Sequence, residues 1–422
     1  MSLSRRSLLA MGAAGLALPG LARSRGALAA SPSKQKMILV FCPGGWDPAF
    51  VFAPVFSDNV DRGPDDVAAF AGDLPYVDSE RRPSVRAFFE AFGARTTIIN
   101  GLQVPSVAHD VCTRWAMTGD AQARTDDWVS VVASQADPSL LMPNVHLSGP
   151  LFPMQFGTAS VRVGLAGQLP GLLAGSALTR SDVAVSAPSA ALDALQDRFL
   201  DTRVARFGRD AGRGAPARIA AAEALARSRA GSLVSVADLL SDVVADDLPS
   251  QLRVISACLA GGLSRTGILG FGLGGNGVWD THSANELQGP LFETLFAGLG
   301  GLCAELDSLP GDEAPTLLDE TVIAVLSEMG RTPRLTPSGG KDHWTFTSAM
   351  LVGGRVRGGR AVGAWKDGML GAAVDLQSGE ASSSGVLLSP SHLGATLLSL
   401  MDIDPAEFID PAVGTAIDGA VG

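Results

Sequence analysis

The stretch TVIAVLSEMGRTPRLTPSGGKDHW, residues 321–344, decides the fold class. Thr321–Leu326 is a continuous apolar, β-branched run, which is what a strand buried on both faces requires. The run stops at a charged turn of Ser327, Glu328, Gly330 and Arg331. A loop of Thr, Pro, Ser and Gly then delivers Asp342 and His343 side by side. In an α/β fold, loops of this kind present ligands at the carboxyl edge of the sheet. A carboxylate beside an imidazole suits a divalent metal.

The same grammar recurs along the chain. Lys36–Cys42 (KMILVFC) reads as a buried strand, and Pro43-Gly44-Gly45-Trp46-Asp47-Pro48 follows at once. Asp47 is placed to ligate a metal, although an Asp before Pro also caps turns and short helices. Thr96–Asn100 reads as a second buried strand. The turn after it, within Gly101–Gly119, carries Ser106, His109, Asp110 and Thr113 near a helix start, where an anion is favoured. Thr266–Leu273 reads as a Gly-rich strand that leads through Gly274–Val278 to Trp279-Asp280-Thr281-His282. In extended backbone Asp280 and His282 share a face. Short strands are expected at Asn144–Leu147, Ser160–Gly164 and Ser348–Val352. Helices are expected at Val85–Phe92, Gln251–Leu263, Leu287–Leu309 and His392–Met401, with His392 in the first turn of the last one. His146 has no acidic neighbour and reads as structural.

From Ser181 to Leu248 the composition shifts to Ala, Arg, Asp and Leu. Leu192, Leu195, Phe199, Val204 and Phe207 have helical spacing, and residues 215–230 suggest a second helix. This part, about residues 181–250, reads as a helical layer or insertion in one α/β domain covering 30–422.

With 46% hydrophobic and 18% charged residues the chain is globular. Its formal net charge of −11 argues against nucleic acid and against an anionic membrane surface as partner. A locally positive metal site remains compatible with that charge. Cys42, Cys112, Cys258 and Cys303 are scattered without a C-x-x-C pair, so they do not read as a thiolate metal site.

Residues 1–29 have the plan of an export leader. Ser4-Arg5-Arg6-Ser7-Leu8-Leu9 resembles the twin-arginine motif, a weakly apolar run follows to Ala22, and Ala27-Leu28-Ala29 has the A-x-A form of a cleavage site. The expectation is a periplasmic or secreted bacterial protein, handled by the twin-arginine translocase, with no stable membrane span.

Ser327–Pro333 followed by Gly339–Trp344 resembles the "EFGRTP…GG(R)DHW" pattern of the exported family called domain of unknown function 1501. Trp279–His282 matches that family's "WDTH", and Gly44-Gly45-Trp46-Asp47 with Pro54 matches its "GG.D" element. The family is similar to the alkaline phosphatase and sulfatase superfamily. That resemblance implies a three-layer α/β/α sandwich, alkaline phosphatase-like, with two divalent metals, zinc or manganese, at the carboxyl ends of the strands. Carried over by position, the metal ligands would be Asp47, Asp280, His282, Asp342, His343 and His392. The catalytic neighbourhood would be His109 with Ser106 and Thr113 on either side. Glu328 and Arg331 would form an ion pair bracing the Asp342 loop, or contact an anion. The Asp280-x-His282 spacing is tighter than the superfamily's Asp-x-x-x-His, and no one residue stands out as nucleophile. The implied function is hydrolysis of a phosphate or sulfate ester, on a small anionic ester or an envelope polymer. The alternative is a non-catalytic periplasmic binding or assembly protein that keeps the fold.

Overall fold

A computed structural model describes residues 33–164, 169, 190–210, 223–224, 240, 246–272 and 279–422. The proposed leader, all but residues 223–224 of the helix expected at 215–230, and the Gly-rich residues 274–278 lie outside the described residues. Eight strands form the central sheet: β1 (Lys36–Phe41), β2 (Thr96–Gln103), β3 (Asn144–His146), β4 (Ser160–Arg162), β5 (Thr266–Gly270), β6 (Thr321–Leu326), β7 (Phe346–Gly353) and β8 (Arg360–Val362). Their spatial order is β8-β2-β7-β6-β1-β5-β3-β4. All neighbours are parallel except β7, which runs antiparallel to both β2 and β6.

The apolar run of β1 explains the layers. Its six residues are all buried, and successive side chains leave the sheet on opposite faces. Ile38 and Val40 pack into one core with helices α1 (Pro83–Phe92), α5 (Leu248–Ala260) and α6 (Gln288–Ser308). Met37, Leu39 and Phe41 pack into the other core with α2 (His109–Thr118), α3 (Trp128–Ser134) and α7 (Pro390–Leu400). The architecture is a three-layer α/β/α sandwich. Each large core side chain such as Phe292 or Phe296 stabilises the fold by roughly 1.5–3 kcal/mol. The helix α4 (Ala190–Asp210) forms where helical spacing predicts it, with Leu195 and Phe199 exposed. Among the described residues no helix is long and apolar enough to cross a membrane.

Sheet direction decides where the loops meet. Phe41 pairs with both Gly270 and Leu326, so β1, β5 and β6 end together. Antiparallel β7 starts at that same edge, with Phe346 opposite Gln103. Residues that follow β1, β2, β5 and β6 therefore meet residues that precede β7. The polar stretch after β1 contains a hairpin of Val67–Ala71 and Leu74–Asp78.

The four cysteines are free and buried. Burial pushes the Cys258 and Cys303 thiols up to about 12 and the Cys112 thiol up to about 11. Only the thiolate reacts readily. A thiol-specific chromophoric reagent should therefore label essentially none of them in the native protein, and all four after denaturation. Fast labelling before unfolding would contradict this packing.

Candidate metal centre

Four loops meet at the edge, and one side chain ties three of them. Arg331 is fully buried. Its Nε donates to Gly45 O at 2.8 Å, and its Nη1 to Lys341 O at 2.9 Å. Its Nη2 donates to Gly44 O, to Trp279 O and, at 2.7 Å, to Asp280 Oδ1. Glu328, also buried, accepts from Gly44 N at 2.7 Å, from Ser327 Oγ at 3.0 Å and from His109 Nδ1 at 2.8 Å. The expected Glu328–Arg331 ion pair gives way to two separate partners, His109 and Asp280. Arg331 does brace the loop that carries Asp342, through the Lys341 carbonyl.

The local sequence permits this crowding. Gly44 has φ of +121°, and a Cβ there would lie 2.5 Å from Asp280 N. Gly340 would place a Cβ 2.0 Å from the carbonyl carbon of His282. Only glycine lets the first and last loops approach the Asp280–His282 segment so closely.

Three histidines then converge on Asp280. His282 Nε2 and His343 Nε2 lie 3.1 and 3.2 Å from Asp280 Oδ1, and 3.0 Å from each other. His109 Nε2 lies 3.4 Å from Asp280 Oδ2. His109, Asp280 and His343 offer ligand atoms that are all within 4.8 Å of one another. Every ring is held from behind. His109 Nδ1 meets Glu328, His282 Nδ1 meets Asp342 Oδ1 at 2.9 Å, and His343 Nδ1 meets Val107 O at 2.7 Å. These partners only accept, so each Nδ1 carries a proton, and a ring left neutral presents its Nε2 lone pair to the cluster.

This arrangement fits a cation. The two Nε2 atoms, 3.0 Å apart, are held either by a proton on one ring or by a cation between them. Bonds of 2.0–2.1 Å at tetrahedral angles put donors about 3.3 Å apart, and the Nε2–Oδ separations of 3.1–3.4 Å match. His109 Nε2 is buried and makes no hydrogen bond, so an ion would supply its missing partner. The carboxylate or carbonyl behind each histidine is the usual support for a metal-binding imidazole.

The hydrogen bond to Glu328 raises the His109 pKa above that of ordinary imidazole. Partial burial pushes the Asp280 carboxyl up, but hydrogen bonds from Arg331 and His343 outweigh it and hold the group below the ordinary carboxylate value. Asp280 thus stays ionised at neutral pH.

Several expected site residues lie elsewhere. Asp47 stands outside the cluster: its Oδ1 caps the short helix Pro48–Phe50 through Ala49 N, and its Oδ2 pairs with Lys341 Nζ at 2.7 Å. His392 turns its Nδ1 back to Ser389, completing a capping box at the start of α7. Asp342 orients His282 from outside the cluster. His109, read from the sequence as a neighbour of the nucleophile, joins the ligand atoms instead. Thr113 Oγ1 donates to His109 O inside its own helix, and Ser106 Oγ accepts from Ala108 N. His146 stays structural, with its Nε2 on Gly149 O. Lys341 is the participant that sequence reading passed over. Its signal was a lysine wedged between the Gly pair and Asp342.

Glu328→Ala would leave His109 Nδ1 and Gly44 N without their acceptor. The expected result is a loss of about 1–3 kcal/mol in urea unfolding of the metal-free protein. Metal affinity should fall roughly 10–100-fold in a competition titration with a chromophoric chelator. Unchanged affinity would mean that the carboxylate does not orient His109.

No curated protein matches the chain. Among solved structures, Ps i-CgsB in complex with k-i-k-neocarrahexaose superposes with a TM-score of 0.37 at 10% identity, covering 90% of this chain and 75% of that one. A 2-O GAG sulfatase superposes with a TM-score of 0.35 at 10% identity, covering 90% of this chain and 73% of that one. Likenesses this loose carry no argument about the site. The profile of the family described as "Protein of unknown function (DUF1501)" matches residues 203–418, just over half of the chain. The chain belongs to that family.

Proposed function

We propose that this chain is an exported, metal-dependent hydrolase of phosphate or sulfate esters, with one domain over residues 30–422 and a helical insertion at about 181–250. The observation that carries the reading is the set of three Nδ1-anchored histidines whose Nε2 atoms face the ionised carboxylate of Asp280. His109, Asp280, His282 and His343 would hold a divalent ion, zinc or manganese by donor type. When bound, such an ion supplies Lewis-acid polarisation of the ester.

The chain's own groups do the rest. Arg331 fixes Asp280 and leaves it facing the histidines. Glu328, Asp342 and the Val107 carbonyl hold the three rings in the ligating tautomer. Arg331 offsets the charge of Asp280, so an ion held there would present its own positive charge at the open side of the cluster. That local charge favours an anionic ester on an otherwise acidic chain. The leader pattern supports export through the twin-arginine translocase to the periplasm or beyond.

A second reading is a binding or assembly protein that keeps the fold without turnover. The engaged hydroxyls of Ser106 and Thr113 favour it, because neither faces the cluster as a free nucleophile. One experiment divides the two. Purified exported protein should contain zinc or manganese and hydrolyse members of a phosphate- and sulfate-ester panel. His343→Ala should lose the metal and the hydrolysis together. Bound metal without turnover on any ester would favour the binding role, and a metal-free wild type would overturn the metal site and the hydrolase reading with it.

A further inference from the structure

We infer that the chain holds a single metal ion, and that the Lys341 ammonium is a built-in cation occupying the place where a second ion would need Asp47. The inference rests on the metal reading above and limits it to one centre. Six expected ligands would have served two ions, but the structure keeps only Asp280, His282 and His343 together, joined by His109, and places Asp47 and His392 apart from them.

The first set is the cluster of His109, Asp280, His282 and His343. The second begins at Asp47, which is only 1% exposed. Its Oδ1 accepts from Ala49 N at 3.0 Å. Its Oδ2 accepts from Asn285 Nδ2 at 2.9 Å and from Lys341 Nζ at 2.7 Å. A carboxylate offers about four lone-pair positions, and three are filled. Gln288 locks the arrangement further: its Oε1 accepts from Asp47 N, while its Nε2 donates to Gly45 O, Trp279 O and Thr281 Oγ1. Lys341 is equally buried, and its ammonium also donates to Asp61 O at 3.0 Å. An ion ligated by Asp47 would have to displace that ammonium and strand it without a counter-charge. His392, the other distant ligand expected, is bonded within its own capping box.

The backbone shows how one loop serves both places. Lys341 N donates to Thr281 O, and Ser283 bridges Gly339, so the two segments run side by side. Along them Thr281 and Lys341 are buried, whereas His282 and Asp342 are exposed. Neighbouring residues therefore serve opposite sides. Asp342 supports the open metal cluster, and Lys341 fills the closed Asp47 site with a fixed positive charge.

The test is stoichiometry and does not depend on turnover. Metal-stripped full-length chain is titrated with zinc or manganese by calorimetry, and bound metal is measured by plasma mass spectrometry after desalting. Wild type should take one equivalent, Asp47→Asn should also take one, and His343→Ala should take none. Because Asp47→Asn breaks a buried pair, the double replacement Asp47→Leu with Lys341→Met serves as the variant without charge, with folding checked by circular dichroism. It too should take one equivalent. Two equivalents in wild type, or an equivalent lost in either Asp47 variant, would overturn the inference and leave the metal reading standing. No metal in wild type would overturn both.

Discussion

A single buried guanidinium holds this edge of the sheet together. Arg331 has no contact with water, so each of its N–H groups must find an acceptor inside the protein. It finds them on the Gly44-Gly45 turn, on Trp279, on Lys341 and on the Asp280 carboxylate. Those acceptors belong to three loops that follow or precede different strands. Moving any of them would leave a buried charge partly unsatisfied, which is costly enough to make the loops behave as one unit. Lysine could not replace it, because a point charge with three donors cannot reach five residues in fixed directions.

Around that tie, each polar group has a defined partner, and the partners sort the site into layers. Asp280 and the inward Nε2 atoms form the centre. Glu328, Asp342 and the Val107 carbonyl stand behind the rings. Asp47, Lys341, Asn285 and Gln288 form a buried hydrogen-bonded network beside it. Geometry is set before any ligand arrives, which lowers the reorganisation needed on binding.

The sequence disclosed the framework more fully than the centre. Buried strands showed as unbroken apolar runs, because a strand covered on both faces has no polar side to alternate with. The Gly pairs and the acid–histidine pairs located the correct loops. The contents of those loops could not be resolved in the same way. Asp47 and Asp280 both follow a strand and a Gly-rich turn, and nothing in one dimension says which carboxylate meets a lysine and which meets three imidazoles. His109 sits 171 residues before Asp280 in the numbering, and its membership depends on the lateral order of the strands. Lys341 was hidden by its neighbours, since a lysine beside an Asp-His pair reads as solvated until its burial is known. The helical segment 181–250 gave only spacing, and α4 matches it.

The reversed direction of β7 has a further consequence for how the protein forms. That strand lies between β2 and β6, so β2 lacks its inner neighbour until the chain has been made past residue 353. His343 reaches the cluster only when β7 inserts. A pairing between segments some 250 residues apart in sequence is a slow, non-local step, because loop closure must precede any compensating contact. The His109, Asp280 and His343 side chains therefore come together only after this long-range pairing has formed.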